Sequence, residues 1–297
     1  GNAVLNAGSL DVYFTRPIEF SGSRPQSGQG ANDVAKIACG GGVRIDSRSV
    51  PENPSPSLDS LVVRDLFIDR VSGAITGSGP GRLSSVRFGQ APSMPSPGTI
   101  QSASTSSEPK TARPDELTYL GVDFQKGMTG NIQRHSLDFH QRVEAIWGPV
   151  ATWEDILDPH APQGLSPRAV LVTSDLLSIG QVPAAPGVAR ASIELSAGGN
   201  VLVEGDSFTA RAARLSWSEA KDLLIFQGDG RSDAQLYRQL RPGAPTSSAS
   251  AGKIFYWRSL NRVDVDDARY LDLDQLGGSS SNPSILGSPA PQSVPGT

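Results

Sequence analysis

The stretch Ile193 to Gly230, IELSAGGNVLVEGDSFTARAARLSWSEAKDLLIFQGDG, decides the fold class. Ile193, Leu195 and Ala197 alternate with Ser192, Glu194 and Ser196; after a Gly-Gly-Asn turn, Val201 and Val203 resume the alternation. Strict period two around such a turn is the signature of a half-buried hairpin. Phe208, Ala210 and Ala212 then alternate with Thr209 and Arg211, and Leu215 and Trp217 follow. The polar turn Ser218 to Asp222 leads into a denser strand, Leu223 to Phe226, closed by Gly228 and Gly230.

The same unit occurs near the other end of the chain. AKIACGGGVRID (Ala35 to Asp46) places Ile37 on Leu195, Cys39 on Ala197, Gly42 on Asn200, Val43 on Val201 and Ile45 on Val203, and LVVRDLFIDRVSGAITGSGPG (Leu61 to Gly81) continues it. The middle segment FQKGMTGNIQRHSLDF, with the strand Val143 to Trp147 after it, reads as a diverged third copy around its own Gly-Asn turn. A strand-turn unit cannot bury its apolar face alone, so copies must stack. The expectation is an all-β chain: an antiparallel β-jelly roll or solenoid-like array of repeated strand-turn units, continuous from end to end.

Composition agrees with that class. Of 297 residues, 32 are Gly and 23 Pro, hydrophobic residues supply 37% and charged ones 19%, which favours strands and turns over long helices. A net charge of −4, with cations scattered among anions, lacks the basic footprint that nucleic acid requires, so no nucleic-acid partner is expected. No run nears the roughly 18 apolar residues of a membrane helix, and GNAVLNAGSL is no signal peptide, so the chain reads as a soluble, mature portion of something longer. One cysteine, Cys39, excludes an intrachain disulfide framework and reads as a small buried side chain.

Ser, Pro and Thr dominate residues 90–116, which read as a disordered linker, and residues 277–297 read as a disordered tail. Pro242 to Gly252 reads as another interruption. The expected blocks are an N-terminal β unit at 9–89, middle and C-terminal β units at 117–241, and terminal strands at 252–276. One short helix is expected at 152–158, with Thr152 as cap, Asp155 three residues on and Asp158-Pro159 as the stop.

Sites of chemistry are sparse. His135 and His140 are five apart in a segment that looks extended, so on a regular strand they face opposite sides and share no metal. His160 reads as a surface histidine near Asp155 and Asp158. Neither Gly77 to Arg82 (GSGPGR) nor Cys39 to Val43 (CGGGV) precedes a helix pattern, so both read as strand turns rather than phosphate loops. Asp264, Asp266, Asp267, Asp272 and Asp274 lack the Gly and distal Glu of a calcium loop and read as the solvated face of a strand pair that includes Val263, Val265, Leu271 and Leu273. With no nucleophile elbow, no paired cysteines and no metal-ligand spacing, no catalytic residue, metal or cofactor is expected, and the chain reads as a non-enzyme.

What remains is the apolar face: Val201, Val203, Phe208, Ala210, Leu215, Trp217, Leu224 and Phe226, with Ile193, Leu195, Ile37, Val43 and Ile45 as repeat-mates. It is either a packed core or the lining of a groove for a long apolar ligand, and both require the same alternation. Bulky filling favours the core; small residues such as Ala197, Ala210 and Ala212 favour the groove.

The string GGNVLVEGDSFTARAARLSWSEAKDLLIFQGDG resembles the repeat of the OstA or LptA-like β-jelly-roll family of lipopolysaccharide transport: Asn200-Val201, Val203, Phe208, Ala210, an aromatic at Trp217 before a hairpin turn, and a closing Gly228. The likeness extends to Lys36–Gly81 and, more loosely, Thr118–Trp147. It implies a periplasmic or envelope protein whose groove holds acyl chains of lipopolysaccharide or a similar acylated lipid, each shielded CH₂ contributing ~0.8 kcal/mol. It also implies head-to-tail self-association, or association with other jelly-roll envelope proteins, by strand addition. The length, the linker and the 152–158 insertion suggest part of a larger scaffold. The competing expectations are a structural or adhesive β-array without a lipid ligand, and a carbohydrate-processing solenoid, for which no converging carboxylate pair is found.

Overall fold

A computed structural model describes residues 2–16, 34–48, 56–88, 116–162, 164–182, 192–205, 208–218, 220–221, 223–239, 246–257 and 262–272. Among them the chain is all-β: eighteen strands in one antiparallel sheet. The sheet is folded lengthwise, so that each pass of the chain crosses a corner and contributes to two facing ladders.

Twelve such passes, or rungs, follow one another. Rungs 1 to 5 are each made of two strands: β1 (Asn2–Asn6) with β2 (Ser9–Phe14), β3 (Val34–Gly40) with β4 (Val43–Arg48), β5 (Ser57–Val63) with β6 (Asp65–Asp69), β7 (Ala74–Ser78) with β8 (Gly81–Phe88), and β9 (Leu117–Phe124) with β10 (Gly127–Asn131). Rungs 6 to 9 are single long strands, β11 (Ser136–Val150), β12 (Val170–Val182), β13 (Ser192–Gly205) and β14 (Phe208–Ser218). Rung 10 is β15 (Leu223–Gln227) with β16 (Ala234–Gln239), and β17 (Thr246–Trp257) and β18 (Arg262–Leu271) complete the array as rungs 11 and 12. The first ladder runs β1, β4, β5, β8 and β9 into the C-terminal half of β11. The second runs β2, β3, β6, β7 and β10 into its N-terminal half.

The corner is where period two must break. Each long strand carries a register shift there: between His140 and Val143, Thr173 and Leu176, Gly198 and Val201, and Ser250 and Ala251. Left-handed backbone clusters at the same line, at Gly41, Gly42, Gln141, Arg142, Gly199, Asn200 and Asp267. Bulges with φ > 0 bend a strand without losing the inward face, which is why one chain pass can serve both ladders.

One apolar cluster fills the space between the ladders from Cys39 and Val43 to Ile254 and Tyr256. Phe124 of the first ladder meets Phe139 of the second with ring centroids 5.3 Å apart. A smaller cluster lies outside the first ladder, where Leu157, Trp153 and Leu165 of the segment between β11 and β12 cover Tyr119, Ile146 and Leu171. Trp153 meets Phe88 edge-on at 5.1 Å, and Arg168 grips Glu116 through both guanidinium nitrogens at 2.6 and 2.8 Å.

Four expectations need correction. No helix forms at 152–158; the segment is a set of turns. Asp155 accepts hydrogen bonds from the N–H groups of Ala151 and Thr152 and from the Thr152 hydroxyl, closing a local turn, while Leu157 turns onto the sheet. A helix so short has too few internal bonds to compete with that packing. His135 is not on a strand but in a turn with φ +48°, and only His140 lies in β11, its Nε2 3.1 Å from Thr129 Oγ1. Pro242 to Gly252 is not a continuous loop: β17 starts at Thr246, pairs with β16, and buries Ser247, Ala249 and Ala251. In the middle segment, Gly130-Asn131 ends β10 on the side away from the corner, and the corner of that rung is Gln125-Lys126. The tail at 277–297 and all of the 90–116 linker except Glu116 lie outside the described residues.

Candidate functional site

The rung register converts the alternation into rows that run the length of the array. Next to the corner, the second ladder aligns Leu10, Cys39, Leu66, Gly77, Met128, Phe139, Leu177, Ala197, Leu215, Phe226, Ile254 and Val265. One pleat further out lies a second row, Val12, Ile37, Ile68, Ile75, Gly130, Leu137, Ile179, Leu195, Trp217, Leu224, Tyr256 and Val263. The first ladder faces them with Leu5, Ile45, Leu61, Leu83, Val122, Ala145, Val172, Val203, Ala210, Leu236 and Ala249. Apart from the Tyr256 phenol, no charged or hydroxyl-bearing side chain interrupts any of the three. Directly opposed positions share one sheet face, so each row is a continuous apolar track.

Burial separates the rows. Phe139, Leu177, Phe226 and Ile254 of the corner row are 0% exposed, so the corner is closed there, while Leu10 at the first rung is 53% exposed. In the outer row Ile37, Ile68, Ile75, Leu137 and Ile179 are only half-buried and Val12 is 38% exposed, although all but Val12 pack against the same core. The interior is therefore most deeply buried next to the corner, while its apolar outer row stays partly accessible to solvent over rungs 1 to 7.

No protein-family model and no curated protein matches this chain.

All eleven candidate residues lie in the single interior cluster. Val43, Val201, Val203, Phe208, Ala210, Leu215, Leu224 and Phe226 are buried, and Ile37, Ile45 and Trp217 are half-buried. The repeat alignment holds in space: Ile37 and Leu195 occupy the outer row, Cys39 and Ala197 the corner row, and Ile45 and Val203 the first-ladder row. Sequence reading missed Ile68, Ile75, Leu137 and Ile179, four of the five half-buried residues Ile37, Ile68, Ile75, Leu137 and Ile179 of the outer row. The alternation in LFID and AIT was visible, but which residue sits beside which neighbour depends on register.

Cys39 is 5% exposed, and burial, then the nearby Asp11 carboxylate, push its thiol pKa up, which suits a filler and not a nucleophile. Val263 and Val265 pack inward, while Asp264 and Asp267 pair with Arg262 and Arg269. Of that acidic string Asp274 lies outside the described residues. On the outer face of the first ladder, Arg82 Nε stands 3.7 Å from Asp123, and His160 Nε2 stands 3.1 Å from Glu144. A cleft of about 450 Å³ opens beside them, lined by Arg44, Asp46, Ser60, Arg82 and Trp153 among others. Among the described residues no group of three or more His, Cys, Asp or Glu is gathered to hold a metal.

Proposed function

We propose that this chain is a non-enzymatic lipid-binding bridge of the cell envelope, holding the acyl chains of lipopolysaccharide or a similar acylated lipid between its ladders. The observation that carries the reading is the half-buried outer row Ile37, Ile68, Ile75, Leu137 and Ile179, an apolar seam left partly accessible between rungs 2 and 7. Rungs stand ~4.8 Å apart, so the stretch from rung 2 to rung 7, with Gly130 on rung 5, offers ~24 Å of track. Burying methylenes along such a seam favours binding by ~0.8 kcal/mol each, without any chemical step. The OstA or LptA-like resemblance supports the same reading and adds a periplasmic or envelope location.

The ends of the array support an assembly role. β1 and β2 at one end and β18 at the other each pair on one side only among the described residues. Edges of this kind accept a further strand, which fits head-to-tail association with copies of the chain or with other jelly-roll envelope proteins.

A structural or adhesive array without a lipid is the second reading, favoured by the complete burial of Phe139, Leu177, Phe226 and Ile254. Native mass spectrometry of protein purified from an envelope-containing host, with lipid extraction and competition by a fluorescent acyl probe, separates the two. Saturable probe binding that Ile179→Asn weakens, in protein with an unchanged circular dichroism spectrum, supports the conduit. Absence of bound lipid and of probe binding leaves the structural array.

A further inference from the structure

One polar atom inside the interior stands out. Trp147 on rung 6 is 6% exposed and belongs to the cluster between the ladders, yet its indole Nε1 has no hydrogen-bond partner among the described residues. A buried donor left unpaired is costly, and an N–H can be satisfied only by an acceptor that enters the interior.

Its row shows what would bring that acceptor. Along the outer side of the first ladder the register aligns Ser47, Asp59, Ser85, Leu120, Trp147 and Val170. The first three are polar and face inward: Asp59 accepts from Ser57 Oγ at 2.7 Å and from Ser85 Oγ at 2.6 Å. From Leu120 onward the row is apolar. Trp147 therefore sits two ladder spacings, about 10 Å, past the last polar residue, just inside the apolar section. An acylated amphiphile has the same order of parts: a hydroxyl-bearing head, a carbonyl, then hydrocarbon.

We infer that Trp147 Nε1 donates a hydrogen bond to the ester or amide carbonyl of a bound acylated amphiphile, whose head lies toward Ser85 and Asp59 and whose chain lies against Leu137 and Ile179 of the half-buried outer row. The inference rests on the lipid-binding reading and adds a polarity and a linkage to it. The Asp59 carboxyl, an acceptor already serving two serine hydroxyls, selects heads that present hydroxyls over anionic ones.

Two surfactants of equal chain length test it, both below micelle-forming concentration. Sucrose monolaurate has a disaccharide head and an ester carbonyl; dodecyl maltoside has a disaccharide head and no carbonyl. In protein carrying ¹⁵N-labelled tryptophan, the Trp147 indole N–H resonance is expected to move downfield with sucrose monolaurate and to stay near its free position with dodecyl maltoside. Trp147→Phe, which keeps the apolar filling, is expected to weaken sucrose monolaurate about three- to tenfold and to leave dodecyl maltoside unchanged. Should Trp147→Phe fail to fold, the resonance of the native protein decides alone. Binding of both surfactants with no carbonyl-dependent movement of Trp147 overturns this inference and leaves the lipid-binding reading standing. Binding of neither overturns both.

Discussion

Gly42 and Asn200 turn the chain at the same corner six rungs apart, with φ of +85° and +50°. Each follows a glycine that is also left-handed, Gly41 at +77° and Gly199 at +75°. Left-handed backbone is strained for most side chains, and Asn tolerates it better than any β-branched residue. Asn200 also donates to Asp175 Oδ2 at 2.9 Å, across the corner of the neighbouring rung. Asn200→Val is expected to lower stability by about 1–3 kcal/mol, read as a lower urea midpoint, and Asn200→Gly by clearly less.

Phe226 is 0% exposed in the corner row, between Leu215 and Ile254. Phe226→Ala is expected to cost about 3–5 kcal/mol. Because rungs contact mainly their neighbours, the loss should be local. Hydrogen exchange should accelerate in β14, β15 and β17, while β4 and β5 keep their protection; uniform acceleration would show that the array unfolds as one unit.

Leu157, 7% exposed, plugs the turn segment onto Tyr119 and Ile146. Leu157→Ala is expected to cost about 2 kcal/mol and to make residues 151–162 sensitive to limited proteolysis, with the ladder strands still protected. If cleavage there does not increase, the Glu116–Arg168 pair and Trp153 hold the segment without Leu157.

Two carboxylates set opposite pH slopes. The Thr152 backbone N–H, the Thr152 hydroxyl and the Ala151 N–H hold the Asp155 carboxyl below its ordinary value of 3.8. Its stabilisation is present above that value and is lost as pH falls through the lower folded-state pKa. Burial pushes the Asp123 carboxyl up, with Glu144 adding to the rise and Arg82 opposing it. The folded state then holds the proton more tightly than the unfolded chain, so this contribution is present below 3.8 and is lost as pH rises through the raised value. In melting curves from acid to neutral pH, Asp123→Asn should raise Tm at neutral pH relative to the native chain. Asp155→Asn should lower Tm at neutral pH and flatten the acid limb. A neutral-pH loss on Asp123→Asn would mean that its pairing with Arg82 outweighs burial.

Much of this was legible before any fold was known. The alternation in 193–230 identified strands, and the match of Ile37 to Leu195 and Ile45 to Val203 already contained the six-rung repeat. The 152–158 helix was misread because Thr152 and Asp155 carry the same cap signature whether a helix follows or only a turn. Ser247, Ala249 and Ala251 were misread because small residues are a loop signal alone and a strand only beside β16. The outer row was the least legible part, since Ile37 was found and Ile68, Ile75, Leu137 and Ile179 were not.

By itself, the sequence determined that the chain is all-β, that its strands present one apolar face and that the units repeat, because side-chain period and turn chemistry are local properties. Only the tertiary structure decided that the apolar face divides into a deeply buried corner row and a partly accessible outer row. It alone placed an unpaired indole N–H beyond a polar bay. Those features depend on which rung lies beside which and where each strand bends, and they arise from contacts between residues far apart along the chain.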